Sequence, residues 1–163
     1  MGCLAIITTD FTETYSPTIC LTSIRFILAY TCQNDLELKQ VDIKGAYLNG
    51  WPDDDVVYTC QPDGFIIKGK EDFVCKLNKS MYGLKQSGRV WHHTLRSKHQ
   101  KISFTPGEAD TTIFSQTAND GLLDIAGWYM DDGLLAAHTS QAMEKMIHDI
   151  RGSFEIQDLG EPS

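Results

Sequence analysis

The stretch IAGWYMDDGLLAA, residues 125–137, decides the fold of this chain. Its two ends are apolar and typical of strands, and two adjacent acids, Asp131 and Asp132, stand between them. Acids are costly to hold beside a buried sheet unless something compensates their charge. The pattern therefore predicts a tight hairpin that projects both carboxylates toward one bound cation, a metal site suited to phosphate chemistry.

A third acid stands in similar surroundings about 90 residues earlier. Residues 36–43, LELKQVDI, have the character of a strand, and Gly45 follows and breaks it. Asp42 is thus predicted at a strand end, where one sheet can bring it close to the hairpin acids. Acids alone remain a weak signal, because many strand-end aspartates only cap or turn the chain.

The length and composition predict one globular domain. The chain has 163 residues, 42% of them hydrophobic, enough for a buried core. No apolar run reaches the ~18 residues of a membrane span, and no basic stretch precedes the apolar residues 4–7, so neither a membrane nor a secretory segment is predicted. Five scattered cysteines predict reduced, mostly buried thiols in an intracellular protein rather than disulfides or a zinc site. They are Cys3, Cys20, Cys32, Cys60 and Cys75.

The net charge of −8 argues against a nucleic-acid binder, but the charge is unevenly distributed. Residues 73–107 contain seven basic residues and no acid, whereas the rest of the chain has seven basic residues against 22 acids. A positive segment of this kind suits phosphate contacts. A solvated basic helix face is an equally good interpretation.

Periodicity and turn residues predict an α+β fold with a largely antiparallel sheet. A first helix is predicted to begin at Ser16-Pro17 and to carry an apolar stripe of Leu21, Ile24, Ile27 and Leu28. A second is predicted to be capped by Ser87 with Val90, Trp91 and Leu95 inside, and a third to run from Ser140 with Met143, Met146, Ile147 and Ile150 in the core. Strands are predicted at residues 56–60, 73–77, 111–115, 122–129 and 154–156, in addition to the two described above.

Several separated motifs, in this order, resemble the reverse transcriptase of copia-type LTR retrotransposons. The resemblance runs from about Thr12 to Glu161. It is carried by ETYSP (13–17), VDIKGAYLNG (41–50), QPDGF (61–65), MYGLKQS (81–87), YMDD (129–132) and DLGE (158–161). It implies a single partial domain over residues 1–163, with a palm and partial fingers, and an RNA-directed DNA polymerase that adds dNTPs to a primer 3′ end on an RNA or DNA template.

The resemblance also implies roles for individual residues. Asp42, Asp131 and Asp132 would be the catalytic, metal-binding acids for two Mg²⁺ ions, for which Mn²⁺ can substitute. The nucleotide side would comprise the backbone of Ile43, Gly45 and Ala46, the sugar-discriminating ring of Tyr47, and Gly83 and Lys85. The nucleic-acid side would comprise Tyr129, Met130, Gln86 and Arg89.

Three departures from the family pattern affect these expectations. The family usually has proline at position 88 and a bulky apolar residue at position 133, so Gly88 predicts a looser turn and Gly133 a softer hairpin. The basic fingers segment of the family is not recognisable in residues 1–10. No thumb, protease, integrase or RNase H segment is recognisable either, which predicts a fragment that works with the remainder of a retrotransposon polyprotein, in cytoplasmic virus-like particles or in the nucleus.

Several alternatives stay open at this point. The chain could be an inactive remnant that binds nucleic acid weakly, or a metal-dependent nuclease or phosphotransferase that uses the same acids. Tyr47 could be an ordinary half-buried tyrosine. Trp91 could be a base-stacking platform, although the inner face of a helix favours a core position.

Overall fold

The computed structural model describes residues 16–50 and 57–162. Within them the chain forms three helices, eight strands and one short 3₁₀ turn. The helices are α1 (Leu21–Asn34), α2 (Ser87–Lys101) and α3 (Ser140–Arg151), and the 3₁₀ turn is Ala46–Asn49. The strands are β1 (Glu37–Ile43), β2 (Tyr58–Cys60), β3 (Val74–Lys76), β4 (Thr105–Pro106), β5 (Ile113–Thr117), β6 (Leu123–Tyr129), β7 (Asp132–Ala137) and β8 (Ile156–Gly160).

Some sequence-based predictions fall outside the described residues. They concern Cys3, the apolar residues 4–7, the segment 1–10, residues 13–15 of the first motif and the first residue of the strand predicted at 56–60.

Six strands form one sheet in the order β4-β5-β6-β7-β1-β8, and every neighbouring pair is antiparallel. The early strand β1 lies between β7 and β8, beside a hairpin formed by residues about 90 positions later. The remaining strands, β2 and β3, form a separate two-stranded sheet. The predicted α+β fold with a largely antiparallel sheet is therefore confirmed.

The two faces of the large sheet carry separate cores. On one face, α2 and α3 bury Trp91 and Met143 against Val41, Trp128 and Leu135. On the other face, α1 buries Ile27 against Ile125 and Ala136. Side chains alternate between the two faces along a strand, and directly opposite residues on neighbouring strands share a face.

The first helix begins at Leu21 rather than at Ser16-Pro17 as predicted. The N–H of Ile19 donates to the carbonyl oxygen of Trp128, which holds the preceding residues extended along the sheet. The carboxylate of Asp110 then accepts from the N–H of Cys20 and the hydroxyl of Ser23. The first residue of α1 is therefore determined by contacts with residues about 90 positions later in the sequence. Local capping signals cannot reveal such contacts.

The predicted apolar stripe of α1 is only partly buried. Ile27 lies in the core and Ile24 packs against it, but Leu21 and Leu28 are exposed. The buried positions of the helix include two small polar residues, Ser23 and Thr31. The expected inner faces of α2 and α3 are confirmed.

Three further predictions are wrong. Ser87 is the first residue of α2 rather than its cap; its hydroxyl accepts from Ser80 Oγ and donates to the carbonyl of Met81. The last strand begins at Ile156 because Phe154 turns into the core, where its ring meets that of Trp91 edge-on. The described cysteines are free, as expected, but not mostly buried: three are exposed and one is intermediate, in the set Cys20, Cys32, Cys60 and Cys75.

The two glycines that depart from the family pattern are closely packed rather than loose. A Cβ added at Gly88 would lie 2.6 Å from Ser16 Cβ. A Cβ added at Gly133 would lie 2.5 Å from Trp128 Cζ3 and 2.8 Å from Val41 Cγ2. The indole of Trp128 thus occupies the space that a larger residue at position 133 would fill.

Candidate active site

The strand register brings two of the three acids together. Asp42 is the direct partner of Asp132 across β1 and β7, so both side chains leave the same face of the sheet. The N–H of Ile43 donates to the carbonyl oxygen of Asp131 over 2.8 Å, which ties the end of β1 to the hairpin tip. The predicted convergence of a strand end and a hairpin tip is therefore present in the backbone.

The electrostatics of Asp42 agree with this arrangement. Burial raises the pKa of Asp42 above its ordinary value, and the carboxylates of Asp131 and Asp132 raise it further, while Lys44 opposes the shift. Lys44 itself forms a salt bridge at 2.7 Å with Glu155, which directly precedes β8, the strand next to β1. Like charges gathered at one place favour the protonated form of one of them, and a bound cation would relieve that repulsion.

The acids fit a divalent cation by their chemistry but do not form a ready-made cage. Among residues 16–50 and 57–162, no group of three or more His, Cys, Asp or Glu side chains is arranged to hold a metal ion. Mg²⁺ is commonly held by one or two protein carboxylates, with phosphate oxygens and water completing its shell. Asp42, Asp131 and Asp132 would be the residues that hold such an ion.

One of the three acids, Asp132, is accessible from a cleft on one face of the sheet. Asp132 and Tyr129 border a shallow cleft of about 130 Å³ on the face that α1 only partly covers, together with Ile19, Gly127 and Leu134. Tyr129 is more than half exposed at this edge. A substrate could reach the hairpin from this side.

The hairpin tip has an unusual backbone. Tyr129 and Asp132 close the β6–β7 pairing, and Met130 and Asp131 form the two-residue turn. Met130 has φ +59°, and a positive φ at only the first central residue is the pattern of a type II′ turn, which favours glycine there. A side chain in this conformation is strained by about 1–3 kcal/mol and persists where surrounding contacts hold it.

Contacts from two other elements hold the tip. The indole Nε1–H of Trp91, on α2, donates to the carbonyl oxygen of Met130 over 2.9 Å. The hydroxyl of Tyr47, on the 3₁₀ turn, lies 3.4 Å from the sulfur of Met130. Trp91 is almost fully buried, so the core alternative for this residue is confirmed.

The 3₁₀ turn lies beside the acids because it follows β1 directly. Gly45 enters the turn with φ +59°, a conformation that suits glycine, and its carbonyl accepts from the N–H of Leu48. Tyr47 is half-buried, and its ring meets that of Tyr82 edge-on at a centroid distance of 4.8 Å. Burial, with Asp131 and Tyr82 nearby, raises the pKa of Tyr47 above its ordinary value, which keeps its phenol neutral.

The remaining predicted residues surround this corner. Gly83 lies in the 81–86 loop with φ +94°, and a Cβ added there would touch nothing within 4 Å. Lys85 is exposed in the same loop, and Gln86 precedes α2, whose first turn carries Arg89. Tyr82 links this loop to Tyr47. The roles assigned to these residues, as to Ile43, Gly45 and Ala46, stay predictions.

Sequence reasoning missed two residues of the site. Trp91 was predicted to lie in the core, with a base-stacking platform as the alternative, and Tyr82 was part of a motif with no assigned role. Both contact residues that are distant in the sequence, Met130 and Tyr47. A helical period places Trp91 on the inner face, but no local pattern shows which carbonyl its N–H reaches.

Comparison with known proteins gives a consistent family. The family model described as "Reverse transcriptase (RNA-dependent DNA polymerase)" matches residues 1–163. The chain is 36% identical over 151 residues to the "Retrovirus-related Pol polyprotein from transposon TNT 1-94" of Nicotiana tabacum, covering 93% of this chain and 11% of that polyprotein. It is 34% identical over 149 residues to the "Retrovirus-related Pol polyprotein from transposon RE1" of Arabidopsis thaliana, covering 91% and 10%.

A shorter relative is the putative transposon Ty5-1 protein of Saccharomyces cerevisiae, which is 31% identical over 120 residues, 74% of this chain and 38% of that protein. No solved structure matches the chain. The chain spans about a tenth of the length of the two plant polyproteins. Within residues 16–50 and 57–162, none of the helices is both long and apolar enough to cross a membrane.

Reverse transcriptases generally use divalent metal ions, and the three aspartates suit such ions by their chemistry. The whole-length family match and the retrotransposon relatives together give the family of this protein: the chain belongs to the reverse transcriptases, the RNA-directed DNA polymerases, of copia-type retrotransposons.

Proposed function

We propose that this chain is the fingers–palm core of an RNA-directed DNA polymerase that adds dNTPs to a primer 3′ end. The observation that carries the proposal is the pairing of Asp42 with Asp132, with Asp131 tied to the end of β1 by the N–H of Ile43. It combines acids from two distant segments at the ends of two neighbouring strands inside the six-stranded sheet. An ordinary turn aspartate would not require that convergence.

Each part of the site has a role in this proposal. Two Mg²⁺ ions, for which Mn²⁺ can substitute, would activate the primer hydroxyl and neutralise the triphosphate when bound. Asp42 and Asp131 would hold the ions, and Asp132 would support the ions and the primer end. The ring of Tyr47 would lie under the deoxyribose and reject a 2′-hydroxyl.

The nucleic acid would approach along the cleft and the basic segment. Tyr129 and Met130 would contact the primer end, while Lys85, Gln86 and Arg89 would contact template and phosphates. The partners would be an RNA or DNA template with its primer and the remainder of a retrotransposon polyprotein. The site of action would be cytoplasmic virus-like particles or the nucleus.

The test is primer extension on poly(rA)·oligo(dT) with Mg²⁺, comparing the wild-type chain with Asp131→Asn. Loss of one metal-binding carboxylate should lower incorporation by about 10²–10³-fold. Glu144→Gln is a matched control, because Glu144 is an exposed acid on α3, against the opposite face of the sheet from Asp42 and Asp132. It should leave incorporation unchanged.

Three other results would each favour a different interpretation. Equal incorporation by wild type and Asp131→Asn would remove the acids from the mechanism. Salt-dependent binding of the primer–template without any incorporation would favour an inactive remnant. Cleavage of a labelled duplex in the absence of dNTPs would favour a nuclease.

A further inference from the structure

We propose that Trp91 is a positioning residue for the catalytic hairpin, a role that rests on the proposed polymerase function. Its indole Nε1–H is the donor that the structure assigns to the carbonyl oxygen of Met130, at 2.9 Å. That carbonyl belongs to the peptide that joins Met130 to Asp131. A shift of this peptide therefore moves the backbone from which the Asp131 carboxylate projects.

The tip needs such a contact because Met130 occupies a conformation that usually requires glycine. The carbonyl of the first central residue of a two-residue turn is not part of the hydrogen-bond ladder between the strands. When that carbonyl is shielded from water, a side chain must donate a hydrogen bond to it. Trp91 supplies the donor from a buried position on α2. The N–H of Ile43 holds the next carbonyl, that of Asp131, so adjacent carbonyls of the tip are each fixed by a different element.

The position of Trp91 is itself well determined. Its ring meets that of Phe154 edge-on at 5.1 Å, and the residue is packed in the core between α2 and the sheet. The indole N–H of Trp91 is therefore held in a fixed position, since close-packed side chains leave little room for rotamer change. Trp91 does not line the open cleft that is bordered by Tyr129 and Asp132.

The same tip residue also reaches the nucleotide side. The sulfur of Met130 lies 3.4 Å from the hydroxyl of Tyr47, whose ring rests on that of Tyr82. Trp91 thus orders the backbone of Met130, while the Met130 side chain contacts the ring proposed to discriminate the sugar. Displacement of the tip should disturb Asp131 more than the bound nucleotide, because the peptide that Trp91 holds leads directly into Asp131, whereas Tyr47 is reached only through the Met130 side chain.

The test compares Trp91→Phe with the control Phe114→Leu. Both variants shrink a buried aromatic side chain of the same core, and Phe114 lies on β5, where it stacks on His99 at a ring distance of 4.4 Å. We expect similar decreases in the thermal midpoint of unfolding for both. Only Trp91→Phe should lower kcat for dNTP incorporation, by about 10–100-fold, with KM for dTTP changed less than about threefold.

Two NMR measurements on the protein without metal or substrate complete the test. The indole proton of Trp91 in the wild-type chain should exchange slowly with solvent, and Trp91→Phe should shift the amide signals of Met130 and Asp131 but not that of Gly121, in the remote β5–β6 turn. Unmoved tip amides in a folded Trp91→Phe would overturn the positioning role, and rapid indole exchange in the wild type would overturn it even if the variant failed to fold.

The outcomes separate this inference from the proposed function. An active wild type, an inactive Asp131→Asn and an unchanged Trp91→Phe would overturn the positioning role and leave the polymerase intact. A wild type that never incorporates dNTPs would overturn the proposed function, and the positioning role in catalysis with it. The NMR shifts would still report whether Trp91 orders the tip.

Discussion

Two hairpins in this protein have similar strand-forming sequences but different surroundings. The β6–β7 hairpin lies inside the six-stranded sheet, where Trp128 and Leu135 are almost fully buried. The β2–β3 ladder has only three residue pairs, and around it Phe65 is 78% exposed and Phe73 is 62% exposed. An isolated two-stranded ladder is marginally stable in water, whereas a sheet covered by helices is not.

The comparison shows which part of the fold holds side chains in well-defined positions. The acids lie on the covered sheet, where core packing and backbone bonds determine their positions. The β2–β3 segment is held largely by polar contacts, in which the side chain of Gln61 donates to the carbonyls of Lys70 and Phe73 and accepts from the N–H of Ile67. The side chains of an active site require support from core packing and backbone hydrogen bonds.

The largest contrast should come from truncating one side chain in each region. Leu135→Ala removes a fully buried side chain from the core and should lower the free energy of unfolding by about 2–5 kcal/mol. Phe65→Ala, at an exposed site, should change it by no more than about 0.5 kcal/mol. Urea unfolding followed by circular dichroism measures both. An equal cost at Phe65 would mean that the β2–β3 segment is packed in solution.

Acid should weaken the sheet region through His99. Its Nδ1 lies 2.9 Å from the carbonyl of Leu95 and its Nε2 accepts from Trp128 Nε1, so the ring is neutral, with its proton on Nδ1. Burial lowers the pKa of His99 to about 4, while the bond to Leu95 opposes the shift. The unfolded chain therefore takes up the proton first, and stability present above about pH 6.5 is lost as the pH falls toward 4.

This loss should amount to about 3 kcal/mol between pH 7 and pH 4. His99→Gln has no titrating ring, so that part of the pH dependence should disappear from its urea unfolding curves. The β2–β3 segment, residues 57–77, contains no histidine. An unchanged pH dependence in His99→Gln would assign the acid sensitivity to other groups.

Substitution of Gly133 tests how tightly the β6–β7 hairpin is packed. Gly133→Val would place a side chain against Trp128 and Val41 and should lower the free energy of unfolding by about 1–3 kcal/mol. Adding Trp128→Leu should recover part of that loss, because the smaller side chain vacates the same space. A double-mutant cycle on the unfolding free energies would reveal this coupling. Additive effects would contradict the interpretation that Trp128 replaces a larger residue at position 133.

The smallest effect should be local to the β2–β3 segment. Gln61→Ala removes its three side-chain contacts and should cost about 1 kcal/mol, because these groups are exposed and water replaces part of each bond. Amide exchange of Ile67 should accelerate, while the amides of β6 and β7 keep their protection. Gln100→Ala, at an exposed position on α2, is the control. Accelerated exchange throughout the sheet would show that the two regions are coupled.

Local patterns predicted much of this fold. The helical periods of α2 and α3 identified the buried faces, and apolar runs with strand character identified β1, β6 and β7. The start of α1 was misplaced because Asp110 and Trp128, which determine it, are distant in the sequence. The packing of Gly88 and Gly133 was misjudged for the same reason, since propensity describes the backbone and not the neighbours.

The family, the candidate acids and the chemistry that they suit could be predicted from the amino-acid sequence, because residue identity and spacing along strands and turns are local properties. The folded chain was needed to show that Asp42 faces Asp132, that Trp91 holds the strained peptide of Met130, and that Trp128 fills the space beside Gly133. Those contacts join segments that are roughly 30 to 90 residues apart or lie on facing strands. They arise from sheet register and close packing, which fix which side chains meet only after the chain has folded.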